Sequence, residues 1–168
     1  MTPTSPDADR DRDRDHLAEA VELARGGMEA REGGPFGAVI VRTDDDVVVG
    51  RGWNRVTSTS DPTAHAEVVA IRRAARVLRT FELEGTTIYA SGEPCPMCWA
   101  ACRWARIDRI VHASRREAAG EIGFDDQFLY DDLARSADEQ SVPVEHLPLQ
   151  AGADVYQRWA TDPSFTRY

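Results

Sequence analysis

The chain has 168 residues, 42% of them hydrophobic, enough for one well-buried core and too few for two typical domains. Twenty basic residues against 29 acidic ones leave a net charge of −9; the surface as a whole does not attract phosphate backbones, which argues against nucleic acid and for a small-molecule partner. The charged N-terminus resembles no signal peptide and no apolar run approaches the roughly 18 residues of a membrane span, so a cytoplasmic protein with no membrane partner is expected.

Between Asp7 and Asp15, Asp alternates with Ala or Arg and no apolar period appears. Residues 1–15 are therefore expected to form a disordered tail, ahead of one domain over 16–168. Leu17, Ala20, Val21, Ala24 and Met28 then recur at helical spacing until Gly33-Gly34-Pro35 ends the run. Residues 36–42 and 47–54 are dense in β-branched side chains around the turn Asp44-Asp45-Asp46, which predicts a hairpin. Asp61 suits an N-cap and Pro62 the first helical position, so a helix is expected over 63–78 with His65 in its first turn. A third strand over 86–91, a helix over 95–105 and a fourth strand over 109–113 follow. A helix over 128–136, a short strand over 142–149 and a terminal helix over 153–160 complete the reading. A hairpin followed by alternating helices and strands predicts a three-layer α/β/α architecture around a five-stranded mixed sheet.

The chemistry is carried by His65-Ala66-Glu67 and by Pro94-Cys95-Pro96-Met97-Cys98. Cys95 and Cys98, three apart at a helix start, project from one face, and the positive end of the helix favours both as thiolates. Two such sulfurs suit zinc, and His65 supplies a third ligand. No obvious fourth exists: Cys102 lies a turn beyond Cys98 and reads as a buried packing residue, while His16, His112 and His146 have no partner at ligand spacing. A zinc site with three protein ligands leaves its fourth position to water, which is the catalytic pattern. Glu67, two residues after His65, could reach such a water and shuttle its proton. All three cysteines fall within the stretch 95–102, which suits metal binding or packing better than a disulfide framework.

His-x-Glu followed by Pro-Cys-x-x-Cys is the signature of zinc nucleobase deaminases. Together with Gly33-Gly34-Pro35-Phe36-Gly37-Ala38, Asn54, Asp61-Pro62-Thr63-Ala64 and Gly123-Phe124-Asp125-Asp126, it makes the chain resemble the bacterial guanine deaminases of the cytidine deaminase superfamily from about Leu17 to the C-terminus. The resemblance implies a cytidine deaminase-like fold, one zinc ion per subunit, and hydrolysis of guanine to xanthine and ammonia. It also implies a homodimer that exchanges its C-terminal segment. Carried over by residue, Asn54 would hydrogen-bond the purine, Phe36 and Trp104 would pack against its ring, and Ala66 would offer its backbone N–H. Asp126 would help recognise the base, and the terminal aromatic, Tyr168, would act as a lid. Blander roles stand beside these: a turn residue at Asn54, core packing at Phe36 and Trp104, a helix cap at Asp126. Two other functions stay open. One is deamination of another base or nucleoside, such as guanosine, cytosine or ammeline; the other is a non-catalytic module that zinc merely staples.

Overall fold

The computed structural model describes residues 6–167. In chain order the elements are α1 (Pro6–Glu29), β1 (Gly37–Arg42), β2 (Val47–Trp53), α2 (Val56–Thr59), α3 (Ala66–Leu78), β3 (Thr86–Gly92), α4 (Pro96–Trp104), β4 (Arg109–Ser114), α5 (Arg116–Glu121), α6 (Gln127–Leu133) and α7 (Gln150–Thr161). The chain divides into two compact units, Met1–Asp126 and Gln127–Tyr168. No helix among the described residues is long and apolar enough to cross a membrane.

The first unit is built on one mixed sheet of order β2-β1-β3-β4, with β1 antiparallel to both its neighbours and β4 parallel to β3. A parallel pair cannot be joined by a tight turn, and α4 makes the crossover from β3 to β4. The sheet has four strands rather than the expected five: residues 142–149 form no strand, and Pro143 and Pro148 within them lack the N–H that a ladder needs. The run Ala38–Val41 is wholly buried because helices cover both faces of the sheet. Ala38, Ile40 and Ile88 pack with Ala66, Ala70 and Ala74 of α3 and Cys102 of α4; Val39, Val41 and Tyr89 face Leu17, Ala20 and Leu23 of α1.

The seating of α3 sets up the site. Its inward side is an alanine row at four-residue spacing, and the strand beneath carries Gly50 and Gly52. A Cβ at Gly52 would lie 2.1 Å from the Ala66 carbonyl oxygen and 2.6 Å from the Ala70 nitrogen, both backbone atoms that cannot swing aside. Glycine there lets the first turn of α3 rest directly on β2.

Of the expected tail, residues 1–5 lie outside the described residues and the rest is helical: α1 starts at Pro6 and runs unbroken through the helix read from position 17 onward. Its polar N-terminal half is held by partners remote in sequence. Arg109 donates two hydrogen bonds to Asp13, at 2.8 and 2.6 Å, and the Tyr89 hydroxyl donates a third at 2.8 Å. His16 Nε2 lies 2.9 Å from Asp46. Arg109 above all holds the Asp13 carboxyl below its usual value. A carboxylate so lowered stabilises the fold above its ordinary value and ceases to do so as pH falls through the lowered one. Asp13→Asn should therefore lower the unfolding free energy at neutral pH by only about 1 kcal/mol, since Arg109 is half exposed and screened. The gap from wild type should shrink steadily as pH falls below about 4, measured by urea titrations of both proteins across that range.

Candidate active site

Because β2 and β3 are both antiparallel to β1, they run the same way, and β4 follows β3. The carboxyl ends of all three strands thus lie along one edge, where open α/β sheets bind ligands. Register makes this concrete: Gly37 pairs with Trp53, Ala38 with Ala90, and Gly92 with Ser114. Phe36, Asn54, the turn into α4 and the segment leading to Asp126 all emerge there.

Each of the two motifs straddles a helix start. His65 is the N-cap of α3 and Cys95 that of α4, both extended, at φ −67°, ψ 155° and φ −62°, ψ 168°. Neither side chain caps its own helix, so both are available to a ligand. Helix α3 begins three residues later than expected because Asp61 is engaged in its own turn, accepting from the Thr63 N–H at 2.8 Å and its hydroxyl at 2.6 Å. His65 is accordingly a cap and not a first-turn residue. In α4, Pro96 at N1 suits the helix start, and Cys98 follows one turn in, fully buried.

These ends bring three donor atoms together. His65 Nδ1 lies 3.6 Å from Cys95 Sγ and 3.5 Å from Cys98 Sγ, and the three atoms all fall within 4.8 Å of one another. A tetrahedral zinc with bonds of about 2.0–2.3 Å separates such ligands by about 3.5–3.8 Å, so the donor set fits the ion in both chemistry and spacing. Among the described residues no fourth His, Cys, Asp or Glu joins the cluster. Glu67 stands just outside it, 7% exposed, with its Oε2 accepting a hydrogen bond from Cys98 Sγ at 3.3 Å.

The two sulfurs are shifted in opposite directions. The Cys98 thiol, first of all, and His65 pull Cys95 down to about 4, while the Cys95 thiolate and burial push Cys98 upward. The hydrogen bond with Cys95 raises the His65 imidazole. Burial, first of all, raises the Glu67 carboxyl above its ordinary value. Cys102, one turn past Cys98 and fully buried, is pushed up to about 12 by burial and is a packing thiol.

Around this centre the other expected residues are dispersed. Asn54 is 5% exposed, and its Oδ1 accepts hydrogen bonds from the Gly34 and Val56 N–H groups, both at 3.2 Å, leaving the amide NH2 as its free donor. Gly33 must be glycine for this: its Cβ would fall 2.3 Å from Asn54 Oδ1. Ala66 is the first residue of α3, so its N–H has no acceptor within the helix. Phe36 is half-buried, packs against the core and meets Phe124 edge to face at 5.0 Å. Asp126 is half-buried, its carboxyl raised first by burial and then by the charge of Cys95. Trp104, at 74% exposed, lies on the outside of α4. Tyr168 lies outside the described residues. Sequence reasoning assigned nothing to Phe124, although it stands in a quoted motif, nor to Glu32, the residue before Gly33.

Cys98→Ala should abolish stoichiometric zinc in metal analysis, since two ligands do not hold the ion, and should lower thermal stability as zinc removal by a chelator does. Cys102→Ala should keep one zinc per chain and cost only about 1–2 kcal/mol of packing.

Comparison with known proteins bears on the same residues. The cytidine and deoxycytidylate deaminase zinc-binding region matches residues 10–114. A guanine deaminase of Bacillus subtilis is 44% identical over 143 residues, covering 85% of this chain and 90% of that protein. An X-ray structure of guanine deaminase from Bacillus subtilis superposes with a TM-score of 0.88 at 41% identity, over 92% of this chain and 98% of the other. Guanine deaminase from Nitrosomonas europaea superposes with a TM-score of 0.63 at 30% identity, over 75% of this chain and 68% of that one. A tRNA-specific adenosine deaminase of Haemophilus influenzae is 42% identical over 89 residues, 53% of this chain and 51% of its own length. The matched region contains His65, Glu67, Cys95 and Cys98 on a cytidine deaminase-like α/β fold, and the chain belongs to the cytidine and deoxycytidylate deaminase family of zinc-dependent hydrolases.

Proposed function

We propose that the protein hydrolyses guanine to xanthine and ammonia, with His65, Cys95 and Cys98 holding zinc and Glu67 carrying protons. The observation that carries this reading is the buried Glu67 carboxyl beside a three-donor cluster with no fourth protein ligand among the described residues. A closed structural site has no use for such an acid, which counts against the stapled-module reading. Guanine in particular is supported by the Bacillus subtilis enzyme, which is matched along nearly its whole length.

Bound at these residues, zinc would supply Lewis-acid activation of a water molecule at neutral pH. Glu67 would accept a proton from that water and deliver it to the ring nitrogen beside the amino-bearing carbon, making the carbon electrophilic. After the hydroxyl has added there, Glu67 would take the hydroxyl's remaining proton and pass it, directly or by way of Asp126, to the amino group, which departs as ammonia while the carbonyl of xanthine forms. The Asn54 NH2 and the Ala66 N–H would hold the base in register, and Phe36 would pack against its ring, steadied by Phe124. A deaminase acting on tRNA is the weaker reading: the net charge of −9 opposes it, and the Haemophilus influenzae match spans only about half of each chain.

The homodimer with an exchanged C-terminal segment is part of the same proposal, as is the lid formed by Tyr168. In the second unit large apolar side chains stay exposed, among them Phe128 at 64%, Leu147 at 83% and Tyr156 at 80%. Trp104 in the first unit is similarly uncovered. Surfaces of this kind mark contacts with another chain, and a second copy is the partner that supplies both.

Ammonia release from zinc-loaded protein should be well above background for guanine and far weaker for guanosine, cytosine, cytidine, adenine and ammeline; preference for another compound would replace guanine while keeping the zinc chemistry. Glu67→Gln should retain zinc and fold yet lose about 100- to 10,000-fold in turnover, and an unchanged rate would sink the mechanism. Co-expression of Glu67→Gln with Tyr168→Ala tests the exchange. If one chain closes the other's site, mixed dimers should recover about a quarter of wild-type activity by random pairing; no recovery would place each lid on its own chain.

A further inference from the structure

We infer that Glu32 is a positioning residue for the base-binding amide: its carboxylate ties together the two residues that flank Asn54 and so aims the Asn54 NH2. The inference rests on the proposed role of Asn54 as a contact to the base.

The observations centre on a single carboxylate oxygen. Glu32 Oε2 accepts a hydrogen bond from Trp53 Nε1 at 2.7 Å and from Arg55 Nε at 3.1 Å, one residue before Asn54 and one after it. The Glu32 carbonyl accepts from the Ser58 N–H at 3.0 Å and the Thr57 hydroxyl at 2.9 Å, while the Glu32 N–H donates to Gly27 at the end of α1, at 3.0 Å. Glu32 therefore fastens the loop after β2 to the end of α1 from both its side chain and its backbone. Trp53 is gripped from other directions too: the Arg73 guanidinium sits 4.5 Å from its ring centroid, and Gly27 lies against it so closely that a Cβ would be 2.6 Å from Trp53 Cδ1.

Inside this clasp the Asn54 side chain has one orientation. Its oxygen is committed to the Gly34 and Val56 N–H groups, and these come from the two strands of loop that Glu32 holds together. The direction of the NH2 is fixed by that commitment, since the carboxamide is planar. Arg55 extends the frame toward the metal, its N–H donating to the Ala64 carbonyl at 2.9 Å, one residue before His65. Charge-assisted hydrogen bonds are the strong ones. Removing the carboxylate frees Trp53 and Arg55 and lets the amide turn, without touching a metal ligand or Glu67.

The test is a double-mutant cycle on zinc-loaded protein with guanine, using Glu32→Ala, Asn54→Ala and the pair, with Glu32→Gln beside them. Glu32→Ala should keep one zinc per chain and lose about 10- to 100-fold in kcat/KM, chiefly through KM. Glu32→Gln, which keeps an acceptor for Trp53, should recover at least about threefold of that loss and serves for the whole comparison if the alanine variant does not fold. In the Asn54→Ala background the Glu32 substitution should change kcat/KM by less than about twofold. The same large factor in both backgrounds, or wild-type kinetics for Glu32→Ala, would overturn the inference. Should wild-type protein not turn over guanine, the substrate reading fails separately, and amide exchange at Gly34 and Val56 decides this one. Exchange about tenfold faster in the Glu32 variant upholds the clasp, and unchanged exchange removes it.

Discussion

The close seating of α3 on β2 is the constraint from which the site follows. Helices normally rest on a sheet through a layer of side chains. Here Gly50 and Gly52 meet an Ala66-Ala70-Ala74 row, so the backbones come almost into contact. That puts the first turn of α3 at the carboxyl end of β2, beside the first turn of α4, which starts where β3 ends. Two helix N-termini converge, each adding a partial positive charge and unsatisfied N–H groups. Anionic sulfurs and a carboxylate are the groups such a place accommodates, and the two motifs supply them at the two caps.

Within that field the groups divide the chemistry by burial. Cys95, half-buried beside His65, is pulled toward the thiolate, whereas Cys98, fully buried, is pushed toward the thiol. Bound at His65, Cys95 and Cys98, zinc would favour both sulfurs as thiolates. The same burial raises the Glu67 carboxyl above its ordinary value, which suits the proton-carrying role proposed for it. Cys102, only one turn away, has the same atom type and none of the chemistry, because it faces the apolar core and no charge partner.

The side proposed to face the base is assembled differently, from loops that the sheet edge brings together. Asn54 follows β2, Phe36 precedes β1, and Phe124 and Asp126 come after β4. Their mutual positions depend on hydrogen bonds between loops, with Glu32 closing the frame around Asn54 and Phe124 bracing Phe36. Such contacts have no period and leave little trace in the sequence beyond a glycine that tolerates no side chain, such as Gly33.

What could be read from the sequence was local. The hairpin, the helices around His65 and Cys95, and the strands 86–91 and 109–113 declare themselves by apolar period and turn residues, and His-x-Glu and Cys-x-x-Cys each lie within about one helical turn. What the tertiary structure decided was long-range. The acidic and arginine stretch before position 16 has no apolar face, so its composition reads as a tail. Its helix is held by ion pairs such as that between Asp13 and Arg109, 96 positions apart. The strand expected over 142–149 does not form: a strand exists only where a neighbour accepts its ladder, and none does among the described residues. The site itself shows both sides of this division: each motif's spacing is written within a single turn, while the 3.5 Å approach of His65 to Cys98 depends on how closely a helix can lie on two glycines.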